Sequence, residues 1–100
     1  MQRSLKYREA IQDAIAKGYS CSAIYDRTVP VHEQLQGKTI WKGEVEIFNL
    51  SGHPKAQRCY GWGFEDRPGH TEFVTVLEVP PVISPETAVR TYLVSQFKDK

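Results

Sequence analysis

From Thr39 the apolar residues of this chain recur at alternate positions, and the stretch to Val79 divides into three extended segments at two turn signals. A period of two places successive side chains on opposite faces of an extended backbone, so the segment predicts strands. Trp41, Val45 and Ile47 fall on one face, and Lys42, Glu44 and Glu46 on the other. At Phe48 the apolar phase slips by one, which suggests a bulge or a strand end. Ser51 to Ala56 contains Gly52, and Glu65 to His70 contains Pro68-Gly69; both read as turns. Three antiparallel strands follow: Thr39 to about Leu50, Arg58 to Phe64, and Thr71 to Val79.

The second strand carries an unusual alternation. Tyr60, Trp62 and Phe64 share one face, while Cys59, Gly61 and Gly63 share the other. Glycine weakens a strand, so two on one face predict close approach of a helix, a neighbouring backbone or a ligand. The third strand is apolar on both faces, with Phe73, Leu77 and Val79 opposite Val74 and Val76. That pattern predicts partial cover on each side.

Helices flank the sheet. Residues 4–17 place Tyr7, Ile11, Ala14 and Ile15 in one stripe beside Ala10, with Ser4 as N-cap and Gly18 as terminator. Pro80-Pro81 cannot donate to a ladder, and Ser84-Pro85-Glu86 marks a second helix start. Its stripe is Val89, Tyr92, Leu93, Gln96 and Phe97, and Lys98 and Lys100 suit its negative end. Residues 19–38 are broken by Asp26, Arg27 and Pro30 and read as irregular with one helical turn, an edge strand being the alternative. The expected fold is α+β: a small three-stranded antiparallel sheet flanked by N- and C-terminal helices, α-β-β-β-α, as a single domain over 1–100.

Length agrees. A chain of 100 residues, 40% hydrophobic and 25% charged, buries roughly two-thirds of its unfolded surface and needs no staple. Cys21 and Cys59 are too few for a disulfide scaffold and lack the CxxC spacing, so they read as reduced thiols of a cytoplasmic protein. No signal sequence opens the chain and no run nears the ~20 apolar residues of a membrane span. A net charge of +1 supplies no global field to recruit polyanions.

The chemistry-bearing residues concentrate around the first hairpin: His53, Lys55, Arg58, Tyr60 and Trp62, with Arg67 at the next turn. Arg58, Tyr60 and Trp62 share a strand face and could stack on a base, with Lys42, Lys55 and Arg67 around them. The competing reading makes Tyr60, Trp62 and Phe64 the core under the helices. His53, Cys59 and His70 lack the paired spacing of a zinc site, and Cys59 is not at a helix N-terminus where a thiolate would be stabilised. Glu44 and Glu46, and Glu72 and Glu78, read as solvated charges that blunt edges. Neither a cofactor, a metal nor a catalytic set is expected.

The α-β-β-β-α order is similar to that of double-stranded RNA-binding domains, with Gly52-His53-Pro54 in the first hairpin turn. The likeness is one of topology. The basic cluster of that family's last helix has no counterpart in Ser84 to Val89, so no binding residue carries over.

These readings favour a small non-catalytic binding or regulatory module that docks onto another protein or a second copy of itself, with an exposed edge strand as one means. Such a size without recognisable chemistry suits a bacterial or phage regulator. Nucleic-acid or nucleotide binding through the aromatic and basic hairpin face is the alternative, and a Cys59/His53 enzyme the remote one.

Overall fold

The structure, a computed structural model, describes the backbone from Gln2 to Lys98 and the side chains from Tyr7 to Gln96. Helix α1 (Gln2–Tyr19) precedes four strands, β1 (Ser22–Leu35), β2 (Lys38–Ser51), β3 (Arg58–Arg67) and β4 (His70–Leu77), and α2 (Pro85–Lys98) closes the chain. The strands form one antiparallel sheet in sequence order. The α+β class and the flanking helices are as expected; the sheet has four strands, not three.

The additional strand is β1, from the segment expected to be irregular. It pairs with β2 along nearly its whole length, with register shifts at Asp26 and between Glu33 and Gln34. Gln36 and Gly37, both at positive φ, close the hairpin as a tight two-residue turn. Pro30 is tolerated because β1 is an edge. Leu50 donates to Gln57 and Glu78 to Arg58, which fixes the alternation of ladder bonds across the sheet. Carried to β1, that alternation turns Pro30 outward, so its missing N–H breaks no bond.

The two helices lie on opposite faces of the sheet. Ile11 and Ile15 of α1 are buried against Ala23, Phe48 and Cys59. Ala88 and Val89 of α2 are buried against Val31, Val45, Ile47, Tyr60 and Trp62. Val45 to Phe48 are therefore all buried, although consecutive. The phase slip at Phe48 reflects cover on both faces, and the bulge sits across from it on β1. Gly61 and Gly63 face α1: a Cβ on Gly61 would overlap Ile11, and one on Gly63 would lie 2.8 Å from the Tyr7 ring. The glycines expected to admit a close neighbour admit this helix.

Several ends shift. Ser4 and Gly18 fall inside α1, and Ser20 takes the left-handed conformation beyond its end. Ala14 is exposed and leaves the stripe, as Gln96 leaves that of α2; the Phe97 and Lys98 side chains and all of Lys100 lie outside the described residues. Ser84 caps α2 as expected, its Oγ accepting from the Thr87 N–H at 3.2 Å.

Two carboxylates are drawn into the interior. Glu46 is 3% exposed and accepts from Thr28 at 2.7 Å and from Arg8 at 3.4 Å, while the Arg8 guanidinium lies 3.7 Å from the Tyr25 ring centre. Glu33 accepts from Arg90 at 2.6 and 3.4 Å. The β2 face read as wet is thus partly covered at Glu46, Glu33 lies on the opposite face beside Trp41, and each buried charge finds a helix-borne arginine. Among the described residues no helix is long and apolar enough to cross a membrane.

Candidate functional site: the free edge of β4

The residues singled out around the first hairpin do not form one surface. His53 sits in the β2–β3 connection, where its Nδ1 accepts from the N–H groups of Lys55 and Ala56, and its ring packs edge-on against Tyr19. It is a turn-stabilising residue. Lys55 is exposed beside it, and Arg58 is half-buried at the start of β3. Arg67 lies at the opposite end of β3, in the β3–β4 turn. Tyr60 and Trp62 are 1% and 2% exposed, so the face proposed for stacking is the core beneath α2. Trp62 stands between Trp41 and Tyr92 in T-shaped contacts with centroids 5.4 and 5.5 Å apart.

Burial also shapes the titration of this strand. Desolvation, reinforced by the adjacent Glu78 carboxylate and opposed by Arg58, pushes the Tyr60 phenol up to about 12. Its hydroxyl donates to Glu78 at 2.5 Å. Desolvation pushes the Cys59 thiol up to about 12 as well. Both cysteines are free; Cys59 is fully buried and Cys21 partly so. A thiol held protonated in the core is no nucleophile at neutral pH.

The β3–β4 turn gathers Asp66, His70 and Glu72, whose ligand atoms lie within 4.8 Å of one another. His70 Nδ1 is 2.6 Å from Asp66 and 3.3 Å from Glu72. Asp66 first and Glu72 more weakly hold the imidazole above its ordinary pKa. The arrangement acts as a surface ion-pair cluster that anchors the turn. A second feature is a depression of about 310 Å³ lined by Pro81, Arg90, Thr91 and Val94.

The two edges of the sheet differ in how they meet solvent. The outer edge of β1 is interrupted by the bulge at Asp26 and by the missing N–H of Pro30. Both devices discourage pairing with another chain. β4 has neither. From Thr71 to Leu77 it pairs with β3 without a register shift, and it contains no proline and no lysine. The Glu78 to Arg58 bond assigns the even residues of β4 to β3, so Thr71, Phe73 and Thr75 turn both backbone groups outward and Leu77 its N–H, the Leu77 carbonyl accepting from the Val79 N–H at 2.9 Å. Phe73 is 38% exposed, and no β4 residue is fully buried. The composition, Thr-Glu-Phe-Val-Thr-Val-Leu, favours extended structure.

Sequence reading singled out none of these four positions. Their signal was the apolar pattern on both faces of the last strand, coupled with its lack of gatekeeping lysine or proline. No family model, curated protein or solved structure matches this chain.

Proposed function

We propose that this protein is a small non-catalytic binding module that acts by docking onto another macromolecule, receiving an added strand at the outer edge of β4. The observation that carries this reading is the contrast between the two edges. One is blunted by a bulge and a proline, and the other offers a row of outward backbone groups from Thr71 to the Leu77 N–H. Strand addition draws affinity from such a row and specificity from the alternate side chains beside it. Phe73 on one face, with half-buried Val74 and Val76 on the other, gives an incoming strand apolar contacts on both sides. The absence of a thiolate at Cys59 supports a non-catalytic role, since its pKa is pushed up to about 12.

The test is selection of displayed peptides against sparsely immobilised protein, followed by amide hydrogen exchange with the best binder. Extended peptides with alternating apolar residues are expected, slowing exchange at Thr71, Phe73, Thr75 and Leu77. Failure to select any peptide, or protection confined to the depression around Pro81 and Val94, would overturn the reading.

A further inference from the structure

Resting on the reading of β4 as a docking edge, we infer that its occupant is a second copy of this chain. The two β4 strands would pair antiparallel about a two-fold axis at Val74, joining two sheets into one.

The register follows from the geometry of the free edge. A two-fold axis normal to the sheet keeps each face of one copy continuous with the same face of the other, so paired residue numbers have an even sum. Only the odd residues from Thr71 to Leu77 present outward backbone groups. An axis at Val74 matches Thr71 with Leu77 and Phe73 with Thr75 in both directions, so every outward N–H of the strand is used, with the Leu77 carbonyl shared with the Val79 N–H. Moving the axis to Phe73 sets Leu77 against the turn residue Gly69 and wastes its N–H. Moving it to Thr75 strands Thr71 and places Glu72 opposite Glu78 twice, where like charges repel.

Charge and packing select the same register. With the axis at Val74, His70 of each copy stands across from Glu78 of the other, just beyond the end of β4, a pair of opposite sign when the imidazole is protonated, made in addition to the Tyr60 bond to Glu78 and the Asp66 contact of His70. Glu72 faces Val76 and meets no carboxylate. The two Val74 side chains face each other across the axis in a non-hydrogen-bonded pair, where side chains approach closely. On the face covered by α1, each Phe73 sits opposite a Thr75 and diagonal to the other Phe73, within reach for an aromatic contact. The half-exposed ring that packs on Tyr7, at 5.5 Å between centroids, and over Gly63 gains an aromatic partner across the interface.

The test uses the full chain in a Cys21→Ser background, Cys59 being buried. Sedimentation equilibrium over a wide concentration range is expected to show a reversible monomer–dimer transition. Under mild oxidation Val74→Cys is expected to form an interchain disulfide, whereas Glu72→Cys, on the same face but opposite Val76, is not. Thr71→Pro and Thr75→Pro each remove an outward N–H and leave the ladder to β3 intact, Thr75→Pro also losing the hydroxyl contact with Tyr19, which Thr75→Val removes alone as a control. Each proline is expected to weaken dimerisation roughly tenfold or more while circular dichroism stays native. A protein monomeric at every concentration overturns the second copy as occupant. If selected peptides still protect β4, the docking reading stands without it; if none do, both fall. A dimer crosslinked through Glu72→Cys, or one indifferent to both prolines, overturns the β4 interface.

Discussion

Gly61 of β3 and Ile11 of α1 occupy space that only one Cβ can fill: a methyl group on Gly61 would overlap Cγ2 of Ile11. Backbone strain plays no part, because Gly61 lies in an ordinary strand conformation and pairs with both Glu46 and Thr75. The requirement is for closeness between helix and sheet. Gly61→Ala is therefore expected to cost about 1–3 kcal/mol in urea unfolding, the usual penalty for overpacking. Ile11→Ala removes the obstructing atom and leaves a cavity of its own. In the double variant the added methyl occupies part of that cavity, so the two losses should fall short of their sum by about 1 kcal/mol. Full additivity would mean that α1 shifts away and does not hold its position over Gly61.

A second stability prediction concerns Trp62, whose indole N–H is buried without an acceptor among the described residues. Trp62→Ala should cost about 3–5 kcal/mol, since the ring links Trp41 to Tyr92 in the α2 core. Trp62→Phe also loses packing but removes an unsatisfied donor whose burial costs about 1–3 kcal/mol. The two effects oppose each other, and the phenylalanine variant should unfold within about 1 kcal/mol of the parent. If phenylalanine proves nearly as damaging as alanine, the indole N–H is not orphaned in solution.

These two positions also show what the sequence disclosed and what it concealed. Gly61 and Gly63 alternate with aromatics, and that pattern alone required a close neighbour. Tyr60 and Trp62 were ambiguous because a strand covered on both faces carries no dry-against-wet contrast. Which face α2 covers depends on contacts distant in sequence, such as Arg90 with Glu33. β1 was obscured by Asp26 and Pro30, the residues that equip it as an edge. Glu46 read as solvated because Arg8, the helix-borne partner that permits its burial, lies far away in the chain. The free edge of β4 was concealed for a similar reason, since strand order decides which strand is last and periodicity does not encode strand order.

The two thiols should separate cleanly in an alkylation experiment. Cys21 is half-buried, and Cys59 is fully buried with its pKa pushed up to about 12 by desolvation. One thiol per chain is expected to react under native conditions, and none in a Cys21→Ser variant until denaturant is added. Rapid native labelling of Cys59 would revive the enzymatic alternative. The same shift has a consequence in alkali. A thiol whose folded pKa lies above its ordinary 9.0 contributes stability that is intact below that value. That contribution is lost as pH climbs towards 12, and Tyr60, raised from 10.0 to about 12, acts in the same direction. Unfolding midpoints should fall steadily above about pH 9, and less steeply in Cys59→Ala.

His70 provides the corresponding test near neutrality. Its hydrogen bond to Asp66, assisted by the charges of Asp66 and Glu72, holds the protonated ring in favour and raises its pKa above 6.5. A raised folded pKa means that the stabilisation is fully present below 6.5 and is lost as pH rises through the folded value. The group is exposed on the surface, so salt should screen the effect. An NMR titration of the His70 ring is expected to show a midpoint above 6.5 that Asp66→Asn returns towards the ordinary value. Glu72→Gln should move it less, because that carboxylate is farther away, at 3.3 Å against 2.6 Å. If Glu72→Gln has the larger effect, the ring is oriented towards β4 and away from β3, and the turn between the two strands is held by a different contact.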